Sequence, residues 1–394
     1  MNARRAGVTP KVSVILPVYN VGPWLPACLD SLKAQTLEHW EAIVVIDGAT
    51  DDSGAIAQAY AKQDGRFKVI FQKNAGQGAA RNSGVAASAG EYLFFLDPDD
   101  AVPPNALEVL ANKGDATGCD IVLGDMFTFM DGEPVAFEKR PASGFFMENF
   151  GGLPPVFARG QLEYELFYNT LFFMVVWMKL FRAEVWKKNG IKAPAGLTMG
   201  EDQITVKHMV FVANGITIVP EVVVYYRRRQ NSATTRRSKK AFGIFTSYDY
   251  ALGLYRRLKL SRHEITLLHK AYLVSYFNHL WYFALYRQWP QFFNAISRSV
   301  NNWPMKELDL SLFTERENRL IDMVKPGGLF NFVRTCLKVY LRNRLMRLAY
   351  FTVVGMRRYL PLNLRQGVVA LLRPVLGARH KVLLMKIQLH LVGK

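Results

Sequence analysis

Cysteine is scarce in this chain and poorly placed for cross-linking. Cys28, Cys119 and Cys336 are the three in 394 residues, odd in number, widely spaced and without a CxxC pair. That excludes a disulfide framework and a thiolate zinc site, and it fits a reducing compartment. Long apolar runs are missing too. None reaches the roughly 18 residues that a spanning helix needs. The opening stretch, MNARRAGVTP, has no apolar segment of the signal-peptide kind. His263 and His269 stand six apart, the wrong spacing for two ligands on one helix face. No Ser/His/Asp or Cys/His signature and no GK[ST] phosphate loop is present.

Acidic residues also run out, after Asp322. Residues 323–394 hold fourteen Lys and Arg, so fourteen of the chain's eighteen excess positive charges lie there. Arg334, Lys338 and Arg342 recur every four residues and share a helical side, among Leu, Val, Met and Tyr. That is the composition of helices lying on an anionic bilayer surface. A basic helical region packed on the rest of the protein is the alternative. No nucleic-acid-binding motif accompanies the charge, so nucleic acid is not expected as a partner.

Half of the residues are hydrophobic, which supports a sizeable folded interior. The length suggests two domains. Within the first hundred residues apolar strands alternate with helices. KVSVILPVY (11–19), EAIVVID (41–47), FKVIFQ (67–72) and EYLFFLD (91–97) read as strands. Helices are expected at 24–32, from an Asp52 or Ser53 cap through Tyr60, and at 76–88. All-apolar strands in such alternation argue an α/β fold, a mostly parallel sheet with helices on both faces. Ligands of such sheets bind beyond the carboxyl ends of the strands. Polar residues gather there: Tyr19 and Asn20, Asp47, and Asp97 to Asp100. The segment 101–200 reads as less regular, with a helix then a strand across 164–181. A helix from Glu201 to Ala213 and a strand over 216–227 follow, then a basic linker, RRRQNSATTRRSKK (227–240), and helices from about 240.

VSVILPVYNVGPWLPACLDSL, IVVIDGATDDS, NAGQGAARNSG and GEYLFFLDPDD resemble, in order and spacing, the nucleotide-sugar-binding half of family-two glycosyltransferases of the A-type fold. WMKLFR, GLTMGED and YYRRRQNSATT extend the resemblance, which covers roughly 11–235. It divides the chain into a glycosyltransferase domain at 11–235 (donor half 11–103, acceptor half 104–235) and a helical basic region at 240–394. It implies an inverting, metal-dependent transferase of the bacterial envelope polysaccharide type. The donor would be a nucleotide sugar carrying uridine diphosphate, and the acceptor a hydroxyl of a glycan or lipid-linked molecule. Such a protein would work in the cytoplasm, peripheral to the inner face of the plasma membrane. One departure is visible: where such proteins often carry two acids, this chain has Ile46 and Asp47.

Glycosyl transfer loads negative charge onto a departing diphosphate, and hard oxygen ligands can hold a divalent cation against it. The resemblance implies Mg²⁺ or Mn²⁺ on Asp99, with Asp97 nearer the ribose or a metal-bound water and Asp100 beside them. A plain Asp/Pro turn is the alternative. Pro17, Tyr19 and Asn20 would frame the base, with Tyr19 stacking and Asp47 accepting from a ring N–H. Arg81, at a helix start, would sit near the donor. Asp202 would be the general base, with Glu201 supporting it, although acids at a helix start are favoured in any case. Trp177 would line the acceptor site or fill the core. Of Arg227 to Arg229 one would reach the diphosphate, Arg229 being the candidate. A nucleotidyltransferase is a rival, but PVYNVGPWL lacks its glycine-rich GxGxR loop. The other rival is a non-catalytic membrane-bound scaffold, against which the DPDD and ED elements argue.

Overall fold

The computed structural model describes residues 9–132, 156–158, 175–197, 200–229, 243–258, 260–270, 272–273 and 289–313, with 315, 318, 321 and 322 beside them. The basic stretch 323–394 and most of the expected linker lie outside the described residues. The chain divides into two compact units. One takes its described residues from Met1–Phe277 and Trp303–Glu317, the other from Asn278–Asn302 and Asn318–Lys394.

The first unit is built on eight strands: β1 (Val12–Val18), β2 (Trp40–Asp47), β3 (Phe67–Gln72), β4 (Tyr92–Phe95), β5 (Ile121–Met130), β6 (Val156–Ala158), β7 (Lys179–Arg182) and β8 (Gly215–Arg228). Among the described residues they form one sheet in the order β3-β2-β1-β4-β7-β5-β8-β6. β1 pairs in parallel with β2 and β4, β2 with β3, and β5 with β8; β7 and β6 run antiparallel to their neighbours. Every residue of β1 and β2 is buried, the signature of strands covered on both faces.

The covering helices are α1 (Leu25–Lys33), α2 (Ser53–Gln63), α3 (Gln77–Ala87), α4 (Ala106–Thr117), α5 (Ala183–Lys188), α6 (Glu201–Val212) and α7 (Gly243–Arg257). The steps β1 to β2 and β3 to β4 run in opposite directions across the sheet. Right-handed crossovers therefore put α1 and α2 on one face and α3 on the other. α4 joins the α1 side, where its Leu107 N–H donates to Gln35 Oε1 at 3.0 Å. α5 joins α3, through Lys187 Nζ to the Ser88 carbonyl at 2.8 Å. A further helix, α8 (Trp289–Asn301), belongs to the second unit. Among the described residues no helix is long and apolar enough to cross a membrane.

The expected strands and helices of the first hundred residues are present with shifts of a residue or two, and α2 runs on to Gln63. Asp52 stands at the cap of α2, but Asp51 Oδ1 accepts the Ser53 N–H at 3.1 Å in its place. The segment after 101 is more regular than its composition suggests, since α4 and β5 fill 106–130. β8 extends through Arg228, so the basic run begins inside the sheet and not in a linker.

Candidate active site

The carboxyl ends of β1, β2 and β4 and the first turns of α3 and α6 meet at one edge of the sheet. At the end of β1, Pro17 is buried, Tyr19 is 51% exposed, and Asn20 takes a left-handed φ of 51°. Asn20 Oδ1 accepts the Thr50 N–H at 2.8 Å, closing the gap between the loops after β1 and β2. Tyr19 beside it presents half of its surface to solvent.

Asp47, the last residue of β2, is buried and heavily engaged. Its Oδ1 accepts from Gln72 Nε2 at 2.7 Å and Ala75 N at 2.8 Å, and its Oδ2 from Gly76 N at 2.9 Å. The carboxylate therefore shapes the loop that leads into α3. Among the described residues one lone pair of Oδ2 takes no further hydrogen bond. Gly76 has a φ of +88°, a conformation that glycine takes without strain. Gly78 serves close approach instead: a Cβ there would lie 2.4 Å from the Pro194 carbonyl oxygen. Asn82 seals the same contact, donating to Ala193 O at 2.7 Å and accepting from Ala193 N at 2.8 Å. Nothing local in the sequence signals this clamp on the segment before α6.

Arg81 is the hub. It is 2% exposed, and its guanidinium joins three carboxylates. It pairs directly with Asp202 Oδ1, reaches Glu201 Oε1 at 3.5 Å, and contacts Asp97 Oδ1 at 3.3 Å. Asp97 Oδ1 also accepts from Gln77 Nε2 at 3.0 Å. The two acids placed at opposite ends of the expected chemistry thus share one cation. Asp202 Oδ2 faces the Val176 N–H at 3.4 Å. Burial raises the Asp97 carboxyl to about 6, against the pull of Arg81 and with the push of Asp99 and Asp202. Burial and the neighbouring Asp202 carboxylate raise Glu201 to about 7, while Arg81 pulls it back.

The DPDD turn is stitched to the end of β8. Ala101 and Tyr225 exchange backbone hydrogen bonds at 3.2 and 2.7 Å. Arg227 N donates to Asp100 Oδ1 at 2.8 Å, and Arg227 Nε to the Asp99 carbonyl at 2.8 Å. Asp99 Oδ2 pairs with Arg229, whose guanidinium lies 4.2 Å over the Trp24 ring. Asp100 does not join the outward cluster. It is buried, its Oδ2 has no hydrogen-bond partner, and burial with Asp99 and Asp97 pushes its carboxyl far above the ordinary range. Its Oδ1, which accepts the Arg227 N–H, ties the turn to β8.

Trp177 is 8% exposed and stacked face to face on Tyr226, 5.1 Å between centroids. It bridges to Phe95 at the end of β4. Of the two readings open for it, the structure supports the core one.

Among the described residues no group of three or more His, Cys, Asp and Glu could by itself cage a metal. The donor set nevertheless suits a hard divalent cation. Asp97 and Asp99 offer carboxylate oxygens from one turn, and a diphosphate with water would complete the shell.

A mixed sheet with acids and arginines at its carboxyl edge fits the expected A-type glycosyltransferase fold. The crystal structure of TarS 1–349 from S. aureus in complex with UDP-GlcNAc shares it, with a TM-score of 0.66 and 22% identity, covering 84% of this chain and 92% of that one. Residues 13–188 match the model of glycosyl transferase family 2. The putative glycosyltransferase EpsH of Bacillus subtilis is 47% identical over 116 residues, 29% of this chain and 33% of EpsH. The poly(ribitol-phosphate) beta-N-acetylglucosaminyltransferase TarP of Staphylococcus aureus is 29% identical over 200 residues, 49% of this chain and 55% of TarP. The chain thus spans between a third and about half of these relatives' lengths.

Proposed function

We propose that this chain is an inverting glycosyltransferase that moves a sugar from a nucleotide sugar, with uridine diphosphate leaving, to a hydroxyl of a glycan or lipid-linked acceptor in cell-envelope polymer synthesis. The observation that carries the reading is Arg81, whose guanidinium touches Asp97 and Asp202 together. The acceptor oxygen would attack the anomeric carbon from the face opposite the diphosphate. Its proton passes to Asp202, the carbon–oxygen bond to the diphosphate breaks, and the configuration inverts. Asp202 suits the role because Arg81 and the Val176 N–H orient it while leaving it 19% exposed. Asp97 and Asp99 would hold Mg²⁺ or Mn²⁺. When bound, the ion would neutralise charge gathering on the leaving group. Arg81 and Arg229 add fixed positive charge near the same phosphates. Tyr19 and the remaining lone pair of Asp47 would take the base. That the relative TarP is an N-acetylglucosaminyltransferase for a poly(ribitol-phosphate) and that TarS was crystallised with UDP-GlcNAc agree with this donor and acceptor class.

A panel of nucleotide sugars assayed for diphosphate release tests the reading. A UDP-sugar is expected to turn over with Mg²⁺ or Mn²⁺, and chelation to lower the rate on the order of 100-fold. Turnover untouched by EDTA would remove the ion from the scheme. Release of pyrophosphate from a nucleoside triphosphate with a sugar phosphate would favour the nucleotidyltransferase instead.

The proposal includes location. The fourteen cations of 323–394 would hold the protein on an anionic membrane surface, each contributing about 1 kcal/mol at most. The full chain is expected to float with phosphatidylserine vesicles and a chain ending at Asp322 to stay behind. Equal flotation would take the tail out of the argument.

A further inference from the structure

The lysine of WMKLFR has no part in the reaction as derived above. We infer that Lys179 is a positioning residue for Asp202, acting through the single peptide unit that joins Val175 to Val176. The inference rests on Asp202 being the base.

Lys179 opens β7 in the middle of the sheet, opposite Leu123 of β5, and is 2% exposed. An ammonium is costly there, and an apolar side chain of the same length would fill the space. The charge is spent on one contact: Nζ donates to the Val175 carbonyl oxygen at 2.7 Å. The peptide that carries this carbonyl also carries the Val176 N–H. A trans peptide is rigid and planar, with C=O and N–H pointing in opposite directions. Fixing the oxygen on Lys179 therefore fixes the N–H on the other side, where Asp202 Oδ2 lies at 3.4 Å. A cation on the carbonyl also polarises the unit and strengthens its N–H as a donor.

Met178 has a left-handed φ of 59°, an unfavourable conformation for a side chain of its length. Its carbonyl accepts from Gly124 N at 3.0 Å, and Trp177 is held between Phe95 and Tyr226. Those contacts anchor 177 and 178 to the sheet, and among the described residues the 175–176 peptide is held by Lys179 and Asp202. Burial lowers the lysine to about 7 while Asp202 raises it, which places the two groups within electrostatic reach of one another. With Arg81 on Oδ1 and Val176 on Oδ2, the carboxylate is gripped at both oxygens.

A double-mutant cycle on the full chain tests the inference. Lys179→Met keeps the volume and removes the donor. Alone it is expected to lower kcat about tenfold, with the KM for the UDP-sugar within about twofold. In an Asp202→Asn background the same change is expected to cost less than about twofold, because residue 202 no longer takes a proton and its exact placement ceases to matter. Equal losses in both backgrounds, or an undiminished kcat in folded Lys179→Met, would overturn it, since a purely structural lysine is indifferent to residue 202. An Asp202→Asn enzyme of full activity would overturn the base assignment and this inference with it. If Lys179→Met does not accumulate folded, Lys179→Gln enters the same cycle with the same expectations, because its amide ends one bond short of Nζ.

Discussion

Asp202→Asn is expected to lower kcat by about 10³ while the UDP-sugar still binds. The substitution is nearly isosteric. The asparagine oxygen can still accept from the Val176 N–H, so the segment before β7 stays in place. What goes is the ability to take a proton. The acceptor hydroxyl is a weak acid and must lose its proton as the new bond forms. A donor held chiefly at Tyr19, Asp47 and the DPDD turn should keep most of its affinity. Steady-state kinetics with nucleotide titration by calorimetry separates the two effects. A kcat within a few-fold of the parent enzyme would sink Asp202 as the base, and weakened nucleotide binding would place it on the donor side.

Arg81→Met should have the larger effect on the fold itself. Its guanidinium is buried against Asp202, Glu201 and Asp97. Removing one partner of a buried ionic cluster leaves uncompensated charge and costs on the order of 3–5 kcal/mol. For a unit of this size that is about 10 °C in the melting midpoint. The loss has a definite pH dependence. Asp97 at about 6 and Glu201 at about 7 both lie above the ordinary carboxyl range. A carboxyl raised in the folded protein contributes stability below its ordinary pKa and loses it as pH rises through the folded value. In the parent protein that decline falls between about pH 4 and 7. Without Arg81 the carboxyls hold their protons to still higher pH. The gap in melting midpoint between variant and parent is therefore expected to be widest near pH 8 and to narrow towards pH 5. A gap that stays constant across that range would mean that Arg81 stabilises by packing alone.

The strands, the three helices between them and the acids at the sheet edge were legible because each apolar run ends abruptly on polar residues. Alternation of that kind survives without any knowledge of tertiary contacts. α4 and β5 were not legible for local reasons. ALEVLANKGDAT carries Gly114 and Asp115 inside a helix, and Gly114 is there because a Cβ would come within 2.8 Å of the Tyr92 hydroxyl. β5 contains Gly124 and Asp125, where its register against β8 shifts. In sequence Asp47 reads as a contact for a base, yet most of its bonding capacity goes to the 72–76 loop, a partnership between residues far apart in the chain. The clamp of Asn82 on Ala193 and the relay from Lys179 are invisible for the same reason: each depends on a contact between segments whose spacing in sequence says nothing of their distance in space.

RRR at 227–229 reads as three equivalent cations, and the strand makes them unequal. Side chains alternate along β8, so Arg227 and Arg229 turn towards Asp99 and its neighbours while Arg228 faces solvent. Parity, then, and not composition, selects which guanidiniums reach the DPDD turn. A chain with one residue deleted upstream in β8 would still display three arginines to any inspection of its letters, yet two would point into water and the third would stand alone at the turn.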